Sequence, residues 1–337
     1  MKSITATVVA TMLAQASVAL AEVGDWRKAN EQVKEAGGWK AYAREIQAAG
    51  KDAHSDHHAS QNQVLSLDRA IQTGISLDPG FKQLLAATSR APADYLRLSD
   101  HQRVALSRES QLIAEIEQLY FAAVAAQERV NYQRQAAEAA SIAAELATRM
   151  RKVGNLNLLH QAEEQLSFAV REKKLSEARV SASHAREGLI RKLQLPADQQ
   201  AFGLPQRLND LPKEITPLSS IDQQLLAVQS QNPSVIRVQS ELRQALLSRN
   251  EAYALAKHYR DTVLPLQRQI SEEHLLHYNG MIIGIFELLK DARHQIETVE
   301  AYLQALHNYW QAESALTPRV MALREQVAQF RRDAWNR

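Results

Sequence analysis

Tyr278-Asn279-Gly280-Met281-Ile282-Ile283-Gly284 sets two glycines ahead of a long periodic run, and the fold follows from how this stretch is read. Beyond the glycines, Leu289, Ala292, Ile296, Val299, Leu303, Leu306 and Trp310 recur at alternating steps of three and four. That is the spacing of a seam that packs along another helix. A tight turn therefore opens a long packing helix. Earlier, Val153-Gly154-Asn155-Leu156-Asn157 is followed by Leu159, Ala162, Leu166 and Ala169 at the same spacing, and a long helical pattern leads into each turn. The sequence reads as two copies of one long helical hairpin.

Composition agrees. Glycine (11) and proline (9) are scarce among 337 residues, while Ala, Gln, Glu, Leu and Arg dominate, so the expected fold class is all-α. A formal net charge of +2, spread over nearly equal numbers of acids and bases, gives no basic field, and no nucleic-acid partner is expected. There is no cysteine, no phosphate-cradling glycine loop, no His-Glu-x-x-His and no Gly-x-Ser-x-Gly. An enzyme is not expected, and no cofactor is implied.

Met1-Lys2, the mostly apolar Ile4–Leu13 and then Ala19-Leu20-Ala21 read as a secretory signal over residues 1–21. Without cysteine, neither a lipoprotein anchor nor a disulfide is available. The mature chain should be exported and held together by packing alone. Residues 22–63 carry short helical pieces around Gly37-Gly38, then a polar linker in which His54, His57 and His58 lie close enough together to bind copper or zinc. A solvated histidine-rich linker is the plainer reading of the same residues.

From about Val104 to Lys152 the pattern is one continuous helix, about 70 Å long at 1.5 Å per residue. Its seam runs through Leu112, Ile116, Leu119, Ala123, Ala126 and Val130, continued by Ala137, Ala140, Ala144 and Ala147, which allows close helix approach. Domain boundaries follow from the punctuation. A first hairpin repeat spans 64–196, a proline-containing connector 197–220, a second repeat 221–317 and an Arg-rich helical tail 318–337.

Tyr278-Asn279-Gly280 with Phe286-Glu287-Leu288-Leu289, the paired Met150-Arg151-Lys152-Val153-Gly154-Asn155, Val263-Leu264-Pro265-Leu266 and the connector Leu204-Pro205-Gln206-Arg207-Leu208-Asn209-Asp210-Leu211-Pro212 resemble TolC-type outer membrane efflux proteins. The resemblance covers roughly residues 64–316, and Asp25-Trp26-Arg27-Lys28-Ala29-Asn30 with Gly37-Gly38-Trp39 is similar to a copper-linked branch. It implies a homotrimer closing into a periplasmic helical duct, partnered by a periplasmic adaptor protein and an inner-membrane pump. It also implies four membrane-spanning strands, and there this sequence departs from the family. Between Pro92 and Gln111, Asp94, Arg97, Asp100, His101 and Arg103 break any lipid-facing alternation, and Ser234–Leu264 reads as helix. With the β-barrel strands absent or vestigial, the chain would need a full-length outer membrane channel to continue the path. The alternative is a non-conducting periplasmic coiled-coil scaffold or metal-binding protein derived from the family.

By the resemblance, Val153, Gly154, Asn155 and Leu156, with Asn279, Gly280, Met281 and Ile282, are adaptor-contacting tips. Where the family places inward-pointing acids, counting from the tip glycines gives His160 in the first repeat and Phe286 and Leu289 in the second. Glu287 and Asp291 should point elsewhere, because one residue turns a helix by about 100°. These three positions are the expected pore constriction, with His160 as a plain helix contact the alternative.

Overall fold

The computed structural model describes residues 64–77, 95 and 98–335. The export signal of residues 1–21 and the 22–63 segment with His54, His57 and His58 lie outside the described residues. Contacts divide the chain into two units, one of Asn62–His274 with Phe286–Arg337, while Leu275–Ile285 belongs to the other.

The helices are α1 (Leu67–Ser76), α2 (Asp100–Lys152), α3 (Leu158–Leu193), α4 (Ser220–Ala227), α5 (Pro233–His258), α6 (Leu264–Asn279), α7 (Ile285–Ser314) and α8 (Leu316–Trp335). A 3-10 turn, Ala197–Gln199, follows α3, and a π-helical turn, Tyr259–Val263, joins α5 to α6. Among the described residues there is no strand, and one isolated parallel bridge joins Val64 to Gly203. The class is all-α, as composition and periodicity predict.

Asp100, His101 and Arg103, which break a strand before Gln111, instead open a helix. Ser99 accepts from the backbone N–H of Gln102, whose side chain accepts from the backbone N–H of Ser99, so a capping box starts α2 at Asp100, four residues ahead of the apolar pattern. The second hairpin's first arm has a different irregularity. Pro265 donates no N–H, and its ring would press on the carbonyl four residues back, inside the π-helical turn. The wider turn lets α5 run on into α6 without a break.

α2 and α3 approach within 8 Å, Cα to Cα, at many points along the hairpin. Ala136, Ala140, Ala143 and Ala147 are completely buried along α2. On α3 the buried positions in the hairpin's lower half are Glu164, Arg171 and Ala178, with Gln161 bonded back to Thr148 and Arg151 of α2. Leu159, Ala162, Leu166 and Ala169, expected as the packing seam, are exposed. The inward stripe is displaced by two residues, about 200° of helix rotation. Both stripes have three-four spacing, and the inward one is polar, so an apolar search finds the outward one.

Above this, a mixed core gathers Ile116, Phe121, Leu189, Tyr253, Leu303 and Tyr309 around the connector residues Leu208 and Leu211. Beyond Gly203, whose carbonyl accepts from the N–H of Leu65, side chains reach the connector's backbone. Glu128 accepts from the N–H of Leu208 (2.8 Å), Tyr253 donates to the carbonyl of Lys213 (2.6 Å), and Trp310 donates to that of Asn209 (2.9 Å). α8 docks on α5 through Leu316, Val320, Leu323 and Val327 against Val235, Val238 and Leu242. Arg324 of α8 clamps Asp222 of α4 with two buried hydrogen bonds of 2.7 Å.

The two turns share one construction. Gly154 has φ 81°, and the N–H of Asn155 returns to the carbonyl of Met150 at 2.9 Å. In the second turn the positive φ falls on Met281 (60°), with the N–H of Ile282 returning to the carbonyl of His277 at 2.8 Å. Both are helix-ending Schellman turns, and Met281, not Gly280, stands where Gly154 does. The left-handed residue is thus the glycine itself in the first turn alone.

Substitutions at the two equivalent sites should act in opposite directions. Gly154→Ala should destabilise by about 1 kcal/mol, and Met281→Gly should stabilise by up to about 1 kcal/mol, since a side chain is penalised in the left-handed region. Thermal unfolding checks both, and a loss at Met281→Gly would contradict the equivalence.

Candidate functional site at the hairpin ends

Each turn presents an apolar tip. Val153 is 70% exposed in the first, and Met281 and Ile282 are 77% and 72% exposed in the second. Gly154, Asn155, Asn279 and Gly280 are also exposed, while Leu156 is half-buried. Arg149, Arg151 and Lys152 make the last turn of α2 basic, a charge suited to a helix C-terminus.

Beyond the first turn, Asn157 caps α3 by accepting from the N–H of His160 at 2.8 Å. The His160 ring meets Phe286 of α7 edge to face, with centroids 4.9 Å apart, and its Nδ1 lies 3.7 Å from Glu163. Two of the three expected constriction residues are thus brought together, in a contact between α3 and α7 of one chain, and Leu289 is half-buried one turn further along α7. Glu287 is exposed. Counted from the positive-φ residue, Glu287 is the repeat equivalent of His160.

Charged residues hold α3 to α7. Arg293 donates to Glu164 at 2.9 Å and to Ser167 at 3.0 Å, Arg171 pairs with Glu297, and Gln133 of α2 donates to Glu300 at 2.6 Å. Asp291, buried, accepts from Gln267 of α6 at 3.2 Å and lies 3.0 Å from Nδ1 of His274. Burial pushes the Glu297 carboxyl up, but the hydrogen bond and charge of Arg171, with Lys174 and His294 adding to them, together hold the group below its usual range. Glu300 has no such cation bonded to it, and burial raises it despite the hydrogen bond from Gln133. Burial also lowers His307, so that side chain favours its neutral form.

Sequence reasoning passed over these ties, since a seam is sought among apolar residues. The available signal was Glu164 and Arg171, seven apart, with Arg293, Glu297 and Glu300 at steps of four and three inside the apolar period. The outward face of α3 is the reverse, with Leu159, Leu166 and Val170 exposed at 68%, 67% and 44%. Among the described residues no three metal-ligating side chains converge, and no helix is long and apolar enough to cross a membrane.

No family model matches the chain, and no curated protein is similar to it in sequence. Solved structures are similar in fold. The outer membrane channel CmeC of Campylobacter jejuni aligns with a TM-score of 0.54 at 11% identity, over 65% of this chain and 64% of that one. A membrane protein from Pseudomonas aeruginosa gives 0.51 at 12% identity, over 77% and 95%, and the outer-membrane channel OprN gives 0.50 at 12%, over 76% and 90%. The fold is TolC-type.

The elevated Glu300 carboxyl gives a pH signature. A carboxyl raised in the folded state contributes most below its unfolded value of 4.5, and that contribution is lost as pH rises through the folded value. Glu300→Gln should therefore raise the unfolding temperature at neutral pH and lose its advantage as the pH falls below 4.5. An advantage that persists unchanged in acid would contradict the assignment.

Proposed function

We propose that this chain is a component of the periplasmic helical duct of a tripartite efflux or secretion system, working as a homotrimer in the cell envelope. The observation that carries the reading is the outward apolar stripe of α3, together with Leu255, Leu266 and Ile270 on the α5–α6 arm, each about half exposed. A chain that spends charged side chains between its own hairpins and leaves leucines outside is suited to packing against further copies of itself. The TolC-type fold supports the same reading, and the similar solved structures are described as channels rather than enzymes.

In this reading Val153, Gly154, Asn155 and Leu156, with Asn279, Gly280, Met281 and Ile282, meet the hairpin of a periplasmic adaptor that leads to an inner-membrane pump. His160 and Phe286 form the ring-to-ring first step of the α3–α7 ties, with Leu289 behind them. The lack of strands among the described residues favours a duct that continues into a separate full-length channel. It equally favours the second reading, a non-conducting scaffold built on the same trimer.

The purified exported protein should sediment at three times the mass of one chain. Leu159→Glu with Leu166→Glu should reduce it to a monomer of unchanged helicity, because the carboxylates would be desolvated at the joint. In cells, photocrosslinkers at Asn155 and Asn279 should trap an adaptor. A wild-type monomer would overturn the duct, and a trimer whose tips capture no adaptor would select the scaffold.

A further inference from the structure

At the far end of the first hairpin from its turn, α1, α2 and α3 enclose an open cavity of ≈ 780 Å³. Its size falls within the range of small-molecule sites, about 300–1,000 Å³. Leu77, Leu112 and Leu119 supply an apolar floor, and among the described residues Arg108, Arg191 and Lys192 stand around it with one carboxylate, Glu115. Glu115 is taken by Lys192. Arg191 is exposed and makes no hydrogen bond or ion pair through its side chain among the described residues.

Two features of α3 set this cavity apart from an ordinary helix end. Cations in a last turn commonly serve the helix carbonyls. Here the N–H of Gln194 reaches the carbonyl of Arg191 (3.3 Å) and the N–H of Leu195 that of Ile190 (3.2 Å), so the guanidinium is not needed there. Gly188 is the second feature. Glycine inside a helix lowers its stability relative to alanine, so a packing reason is expected. At Gly74 the reason is plain, since an added Cβ would lie 2.2 Å from Ile116. At Gly188 an added Cβ would meet only Leu119, at an ordinary 3.6 Å, and no positive φ demands glycine. The missing side chain keeps the cavity open.

We infer that this cavity binds an anionic amphiphile, its phosphate or comparable acidic head on Arg191 with Lys192 and Arg108 in support, and its hydrocarbon over Leu112 and Leu119 beside Gly188. A cationic rim above leucines fits that chemistry better than an inorganic anion, which would leave the floor wetted, or a neutral apolar molecule, which would leave Arg191 without a partner.

The full exported chain is titrated calorimetrically with dodecyl phosphate below its micelle concentration. One molecule should bind per chain, with dodecyl maltoside and inorganic phosphate each at least about tenfold weaker, the size expected from losing one charge-assisted hydrogen bond. Arg191→Gln removes the cation, and Gly188→Leu fills the space while adding a better helix former. Each should weaken binding by at least about tenfold with no fall in unfolding temperature. Sedimentation with phosphatidylglycerol vesicles, but not phosphatidylcholine vesicles, lost in Arg191→Gln, would identify a membrane lipid as the source. Binding of dispersed dodecyl phosphate without vesicle association would identify a free amphiphile. No binding, equal binding of dodecyl maltoside, or affinity unchanged in both variants would overturn the assignment.

Discussion

The structure depends on an interface of alanines. Ala136, Ala140, Ala143 and Ala147 are fully buried along α2, a helix of 53 residues that at 1.5 Å per residue is about 80 Å long. Small residues let α2 and α3 lie close together. They also remove little apolar surface from water, because burial stabilises roughly in proportion to the area covered, about 25 cal/mol per Å². The lower half of this hairpin gains its order from the Gly154 turn and the Asn157 cap more than from bulk. Large aromatic burial is kept for the upper half, where Phe121, Tyr253, Tyr309 and Trp310 close over the connector.

The remaining polarity follows from that constraint. With small residues lining α2, the α3 side chains seen to meet α7 are long charged ones, Glu164 and Arg171 pairing with Arg293 and Glu297. Such pairs are costly to desolvate and strongly destabilising to break singly. They specify which helix lies beside which while contributing modestly to net stability. The apolar residues of α3 are left exposed on the other side, the face on which the proposed association rests.

Much of this was legible in the sequence. Two glycine turns, a long uninterrupted helix before each and the proline-bounded connector yield the all-α hairpin pair, because turn chemistry and helical period are local properties. Ser99 and Gln102 already spell the capping box that starts α2. The facing of α3 was not legible. Period alone cannot tell the stripe through Leu159 and Leu166 from the stripe through Gln161 and Glu164, and burial within one chain chose the polar one. The left-handed residue of the second turn was also hidden, since Gly280 stands one position before Met281 and is the natural candidate. Phe286 and Leu289 were placed by counting from that glycine, and the contact between His160 and Phe286 emerged only when α3 and α7 were seen side by side.

The outward facing of the α3 leucines is the claim on which the account turns, and the chain's lack of cysteine allows it to be probed at a single site. A nitroxide attached at Leu166→Cys, read by electron spin resonance on the assembled protein, should be immobilised and show dipolar broadening from neighbouring chains that vanishes when labelled chains are diluted with unlabelled ones. A mobile label with no broadening at any dilution would mean that this face meets only solvent, and the account would fall.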